Sequence, residues 1–250
     1  MTKLSVNVNK LATIRNARGK NNPDVVAQSL KILSYGAQGI TVHPRPDERH
    51  IRRQDVYDLK KAIDGNFPGV ELNIEGFPSN DFIKMNADVR PGQCTLVPDP
   101  PDVITSNAGW LVSQNIDILK SVASRLRPLG VRTSVFVDPV NMADGEYMLL
   151  KAAGIDRVEL YTERYAETFG SVSAATSIMA YHKAAILARD AGLGINAGHD
   201  LGLGNLAALI SAIPWIDEVS IGHALICDAL EFGMKSTVAK YLAELQPKRG

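Results

Sequence analysis

The sequence predicts an α/β protein, a (β/α)8 TIM barrel with extra helices. Eight short β-type runs can be read along its 250 residues, helical segments separate nearly all of them, and titratable residues collect where the runs end. A doubly wound sheet would normally show fewer strands and a glycine-rich first turn. Here the first run passes into Asn9-Lys10, with no GxGxxG.

The runs are Leu4 to Asn9, Gly39 to His43, Val70 to Glu75, Gln93 to Pro98, Arg132 to Asp138, Arg157 to Thr162, Gly194 to His199 and Glu218 to His223. Most are dominated by apolar residues, as parallel strands covered by helices require. The first alternates instead, which suits a strand facing a polar barrel mouth. Between them, Pro23 to Leu33 has a helical period and stops at Gly36, Ile116 to Leu129 stops at Gly130, and Ala174 to Ala191 stops at Gly192. Leu225 to Leu245 reads as one long helix with Leu225, Ala229, Val238, Leu242 and Leu245 on a stripe. Two intervals exceed plain connections: Asp99 to Asn115 after the fourth strand and Glu163 to Ser173 after the sixth. Both are expected to cover a pocket, the longer one being the closing loop because it carries Thr105. Arg15 to Asn22 reads as a basic loop on the same side.

Composition narrows the partners. Lysine plus arginine equals aspartate plus glutamate at 27 each, so no global field favours nucleic acid or an anionic membrane. No linker or composition shift divides the chain, so residues 1–250 are expected to form a single barrel domain. The N-terminus lacks an apolar leader and no run approaches a membrane span. Cys94 and Cys227 show no paired spacing and read as reduced core thiols, which suits the cytoplasm.

In such a barrel the strand ends share one mouth. They deliver Asn7, Asn9, His43 with Arg45 and His50, Glu75, Asp138, Glu159, Asn196 with His199 and Asp200, and Gly222-His223. Four of the five histidines are in this set; His182, on a helix after Tyr181, reads as a surface or packing residue. Glu75 has apolar neighbours that would suit acid–base work, and a salt bridge to Arg45 is the alternative. Glu159 alternates with apolar residues and so points into the barrel, either as a structural acid paired to arginine or as an electrostatic stabiliser. Gly198 presents His199 at a turn, where Asp200 could instead be a cap. Anion binding has two addresses: Gly198 and Asp200 with Gly222-His223-Ala224 opening the last helix, and Arg18, Arg45 and His50. No HExxH, no HxH after the first strand and no GxSxG occurs, so the usual zinc spacings are missing and no metal site is expected. What remains is acid–base chemistry by histidine and glutamate on phosphorylated carbonyl compounds.

Along its length the chain resembles the pyridoxine 5′-phosphate synthase family, through Asn7, Ala12-Thr13-Ile14-Arg15-Asn16-Ala17-Arg18-Gly19, Gly39 to His43, Arg49-His50-Ile51, Leu96-Val97-Pro98, Asn196 to His199 and Ile221 to Ala224. The resemblance implies a barrel needing neither metal nor cofactor, assembled as a homo-octamer of dimers. It also implies a reaction that joins 3-amino-2-oxopropyl phosphate to 1-deoxy-D-xylulose 5-phosphate. By resemblance, His43 and Glu75 are proton acceptors, His199 is the proton donor and Glu159 stabilises the transition state. The deoxyxylulose phosphate would meet Asn9, Lys10, Arg18, Arg45, His50 and Thr105, and the aminoketone phosphate Asn7, Asp200, Gly222 and His223. Many members have Asp-His where this chain has Asn9-Lys10, and Gly where it has Asp200. These departures bear on substrate affinity more than on reaction type.

Overall fold

The computed structural model describes residues 1–98 and 109–246. Eight parallel strands close into a barrel in sequence order: β1 Lys3–Asn7, β2 Gly39–Val42, β3 Glu71–Gly76, β4 Gln93–Leu96, β5 Arg132–Val137, β6 Arg157–Tyr161, β7 Gly194–Gly198 and β8 Glu218–Ile221. Closure is by β1 on β8, in a register from Lys3 opposite Glu218 to Val6 opposite Ile221.

Around the barrel, among the described residues, run α1 Asn9–Asn16, α2 Val25–Ser34, α3 Arg53–Asn66, α4 Asn80–Val89, α5 Val112–Leu126, α6 Glu146–Ala152, α7 Glu163–Thr168, α8 Ala174–Asp190, α9 Leu206–Ala212, α10 His223–Phe232 and α11 Met234–Glu244. Local chemistry sets several ends. The Asp24 carboxylate accepts from the Ala27 amide at 2.9 Å to start α2, and Ser79 Oγ accepts from Phe82 N–H to start α4.

The strands alternate. Leu4, Val6, Ile40, Val42, Leu72 and Ile74 face the helices and are buried in the core. Their neighbours in sequence face the barrel axis and are polar. Ser5 and Thr41 hydroxyls meet at 2.7 Å, and Thr95 Oγ1 donates to Asn73 Oδ1 at 3.0 Å. Lower down, Arg132 pairs with Glu71 at 2.6 Å, and Arg157 donates to Asn196 at 2.8 Å. The expected apolar dominance therefore holds for the outer faces, while the interior beneath the mouth is polar and only partly hydrogen-bonded: Ser134 Oγ and both carboxylate oxygens of Glu218 have no hydrogen-bond partner among the described residues.

Four expectations need correction. The first strand ends at Asn7 rather than Asn9, because Asn7 Oδ1 accepts the Asn9 amide at 3.0 Å and turns the chain into α1. That helix takes in Arg15 and Asn16, so Arg15 is a buried helical residue and not part of a basic loop. The long final helix is two helices, broken at Gly233, whose φ of 73° no helix contains. Cys94 is buried as expected, but Cys227 is exposed on α10 rather than in the core. Among the described residues no helix is long and apolar enough to cross a membrane.

Candidate active site

The C-terminal mouth of the barrel opens into a cavity of about 450 Å³, a size common for small-molecule sites. His43, His50, His199 and His223 all line it, together with Glu75 and Glu159. The fifth histidine, His182, lies elsewhere and packs edge-on against Trp215, with ring centroids 5.5 Å apart.

One wall is built from β1, α1 and the loop after β2. Asn7 Nδ2 donates to Glu75 Oε2 at 3.4 Å while its Oδ1 holds the Asn9 amide. Asn9 Oδ1 in turn accepts the His43 amide at 2.9 Å, so both asparagines order the wall as well as face the cavity. Lys10 and Arg45 give this wall its positive charge, and His50 stands beside them on the lining. His50 Nδ1 accepts from the Ile51 amide at 2.9 Å, so the neutral ring carries its proton on Nε2. Burial, then Arg45, Arg49 and Lys10, push the His50 pKa down to about 4. The His43 pKa is also well below the ordinary imidazole value, through burial first and then Arg45 and His50.

The opposite wall comes from β6, β7 and β8. Glu159 is buried and its Oε2 has no hydrogen-bond partner among the described residues. Burial raises its carboxyl to about 7, with a hydrogen bond from Thr95 opposing. Gly198 makes room for it: a Cβ there would stand 2.6 Å from Glu159 Oε1. His199 is wedged edge-on against Phe136 and Tyr161, at centroid distances of 4.9 and 5.3 Å. Burial lowers its pKa to about 4, and Asp200 opposes that shift. His199 and Asp200 have φ values of 79° and 55°, a left-handed pair rare for residues with side chains. Thr162, buried, holds this turn by donating its amide to Gly198 O at 2.9 Å and its hydroxyl to the carbonyls of Gly198 and His199.

Gly222 and His223 begin α10 at the cavity edge, where backbone amides and the helix dipole favour an anion. Gly222 is needed for close approach, since a Cβ would meet Asn7 Cβ at 3.1 Å. His223 Nε2 lies 3.6 Å from Cys227 Sγ.

Of the residues singled out from sequence, Asn7, Asn9, Lys10, His43, Arg45, His50, Glu75, Glu159, His199, Asp200, Gly222 and His223 all line this one cavity. Arg18 does not; it is exposed just beyond the end of α1. Asp138 does not line it either, and its carboxylate holds the Val140 amide and the Asn141 side chain. Asn196 lies deeper, on Arg157. Thr105, and with it residues 99–108 of the expected closing loop, lies outside the described residues. Sequence reasoning missed Tyr161, Glu163 and Ser220 on the lining. The signal was present: Tyr161 follows Glu159, and Ser220 precedes Gly222, at the strand period of two. Tyr161 donates its hydroxyl to Glu163. Among the described residues no group of three or more histidines, cysteines or carboxylates is arranged to hold a metal ion.

Fold and cavity define the class: a (β/α)8 barrel with its candidate site at the C-terminal strand ends, where barrel enzymes carry theirs. A sequence model of the family described as "Pyridoxal phosphate biosynthesis protein PdxJ" matches residues 4–247, and the chain belongs to that family. It is 54% identical over 247 residues to the pyridoxine 5′-phosphate synthase of Cytophaga hutchinsonii, covering 98% of this chain and 100% of that one. It is 53% identical over 246 residues to the enzyme of the same name from Porphyromonas gingivalis, covering 98% and 99%. Among solved structures, 3-keto-L-gulonate-6-phosphate decarboxylase from Vibrio cholerae superposes with a TM-score of 0.65 at 14% identity, covering 98% of this chain and 97% of that one. At that identity the likeness shows the barrel alone.

Proposed function

We propose that this chain is the cytoplasmic enzyme that joins 3-amino-2-oxopropyl phosphate to 1-deoxy-D-xylulose 5-phosphate, forming pyridoxine 5′-phosphate and releasing phosphate and water. The observation that carries the proposal is the convergence of His43, Glu75, Glu159 and His199 in one cavity, between the wall that carries Lys10 and Arg45 and the start of α10. Family membership and relatives above 50% identity named for this product support it.

Ring closure by this route needs imine formation, elimination, hydration and an aldol-type step, each a proton transfer. His43, kept neutral by burial and the cations beside it, suits a proton acceptor. Glu75, oriented by Asn7, is the second acceptor. His199 is the donor, taking up its proton as phosphate charge enters beside it. Glu159 sits where a carboxylate becomes favourable once a cationic intermediate develops, which is electrostatic stabilisation of that state. Lys10, Arg45 and His50, with Asn9, receive the deoxyxylulose phosphate. Asn7, Gly222, His223 and the Asp200 backbone receive the aminoketone phosphate. Assembly as a homo-octamer of dimers belongs to the same proposal and is checked by sedimentation; exposed Leu230 and Phe232 on α10 are apolar surface that an assembly could cover.

The test is product formation with both substrates and with each omitted. Glu75→Gln and His199→Asn are expected to fold normally and to lose turnover by about a hundredfold or more. Full activity in either variant removes that residue from the mechanism. Turnover of one substrate alone points to an isomerase or lyase. Binding of pyridoxine phosphate without synthesis points to a sensor.

A further inference from the structure

The Ala12–Gly19 motif contains two residues to which the proposed reaction gives no part, Arg15 and Asn16. Arg15 is only 1% exposed. Its Nη1 and Nη2 donate to the two carboxylate oxygens of Asp55 at 2.6 and 2.8 Å, Nη2 also donates to the His50 carbonyl at 3.1 Å, and Nε donates to Asn16 Oδ1 at 3.1 Å. Asn16 Nδ2 donates to the carbonyls of His50 at 2.8 Å and of Glu48 and Arg49 at 3.3 Å each. Asp55 closes the far side by accepting the Arg52 amide at 2.7 Å.

The segment held this way is strained. Glu48 has a φ of 52°, left-handed for a residue with a side chain. The same segment carries Arg45 and His50 of the cavity lining: Glu48 N–H donates to Arg45 O at 3.0 Å, and the Ile51 amide fixes the His50 ring. A buried ion pair is weak evidence for added stability, and its best-attested use is to fix one geometry. Here that geometry is the presentation of His50 Nε2–H and the Arg45 guanidinium to the cavity.

We propose that Arg15 and Asn16 are positioning residues that hold the loop from Arg45 to Arg52 in its anion-binding form, with Asp55 as the counter-ion that anchors Arg15. The inference rests on the proposed reaction for the identity of the anion, the phosphate of the deoxyxylulose substrate. The hold on the loop does not depend on that reading.

Two variants test it, Asn16→Ala and Arg15→Lys, the first replacing a half-buried residue that the barrel can lose without a core cavity. In steady-state kinetics, KM for 1-deoxy-D-xylulose 5-phosphate should rise about tenfold or more, with KM for the aminoketone phosphate unchanged and kcat nearly so. In the protein without substrate, hydrogen exchange of the amides of residues 48–52 should quicken. A general loss of structure would instead lower kcat together with thermal stability and leave the ratio of the two KM values as it was, and that result overturns the proposal. If Arg15→Lys fails to fold, Asn16→Ala alone decides. If the wild-type protein turns over neither substrate, the proposed reaction fails while exchange still reads the loop, and unchanged exchange in Asn16→Ala refutes the positioning role.

Discussion

Replacing Glu159 by glutamine should stabilise the protein in a pH-dependent way. Glu159 is buried with an unpartnered Oε2, and burial lifts its carboxyl from an ordinary 4.5 to about 7. Below pH 4.5 the folded and unfolded chains are both protonated there, and nothing is lost. Between 4.5 and 7 the unfolded chain releases a proton that the folded chain keeps, so stability falls as pH rises. Above about 7 the loss is complete: a rise of about 2.5 pH units at ~1.4 kcal/mol each is on the order of 3 kcal/mol. Glutamine has no such titration. Any unmade hydrogen bond of its amide is the same at every pH and drops out of the difference between two pH values. Glu218, raised to about 8 by burial first and in small part by Glu159, titrates at the upper edge of this range and is itself eased when Glu159 is replaced, so it cancels only in part between the two proteins. The advantage of Glu159→Gln over wild type should therefore grow by about 3 kcal/mol from pH 4.5 to pH 8. For a chain of this size that is roughly 6–12 °C in Tm, read by circular dichroism melts of both proteins across the range. A constant difference would mean that Glu159 ionises as it does in water, and that burial with Oε2 unpartnered does not raise its pKa.

Further outcomes follow from the same geometry. Gly198→Ala puts a Cβ 2.6 Å from Glu159 Oε1; urea titration should show a loss of about 1–3 kcal/mol, with a lower kcat because the carboxylate is displaced. Asp200→Gly relieves a φ of 55°, which offsets glycine's extra chain entropy, so Tm should hold. With its carboxylate gone from the anion end, KM for the aminoketone phosphate should drop roughly fivefold. His199 titrates in the sense opposite to Glu159. Its folded pKa of about 4 lies below the ordinary 6.5, so wild-type stability is lost as pH falls through that window, by at most about 3 kcal/mol. His199→Asn should shrink that acid loss, and melts at pH 7 and pH 4.5 would show it.

The strands were legible because their outward faces are apolar runs such as Ile40 and Val42 or Leu72 and Ile74, set against polar partners at a period of two. The convergence of the histidines followed once eight strands were granted, since a barrel has only one C-terminal mouth. What escaped was governed by single contacts. Asn9 reads as strand until the Asn7 side chain is seen accepting its amide, a bond that turns the chain into helix. Arg15 reads as a solvated cation because its partner Asp55 lies forty positions away. Gly233 carries the break in the last helix, but a lone glycine inside an apolar stripe does not announce whether it is tolerated or decisive. The polar barrel axis was half-visible in Ser5, Asn73 and Thr95, yet the sequence does not show that these side chains satisfy one another.

In the proposed reaction His43 and His199 take opposite parts, and what sets them apart is their neighbours rather than their rings. Burial lowers the pKa of both, so burial alone does not distinguish an acceptor from a donor. Their electrostatic surroundings do. His43 stands beside Arg45 first, then His50, His199 and Arg49, and a positive charge on any of them opposes a proton on it. His199 faces Asp200, which favours one. In the proposed reaction, phosphate charge entering the cavity would neutralise the cations on the His43 side, but burial still keeps that ring a base. On the other side the charge adds to Asp200 and lifts His199 toward the range where an imidazolium persists at neutral pH. Under the proposed reaction, two imidazoles that burial shifts the same way would thus be pushed apart by a phosphorylated substrate, one toward accepting protons and one toward giving them. Asp200, a carboxylate at the proposed anion end, acquires a part in that reaction: it biases His199 toward the protonated form, leaving its backbone rather than its carboxylate for the phosphate.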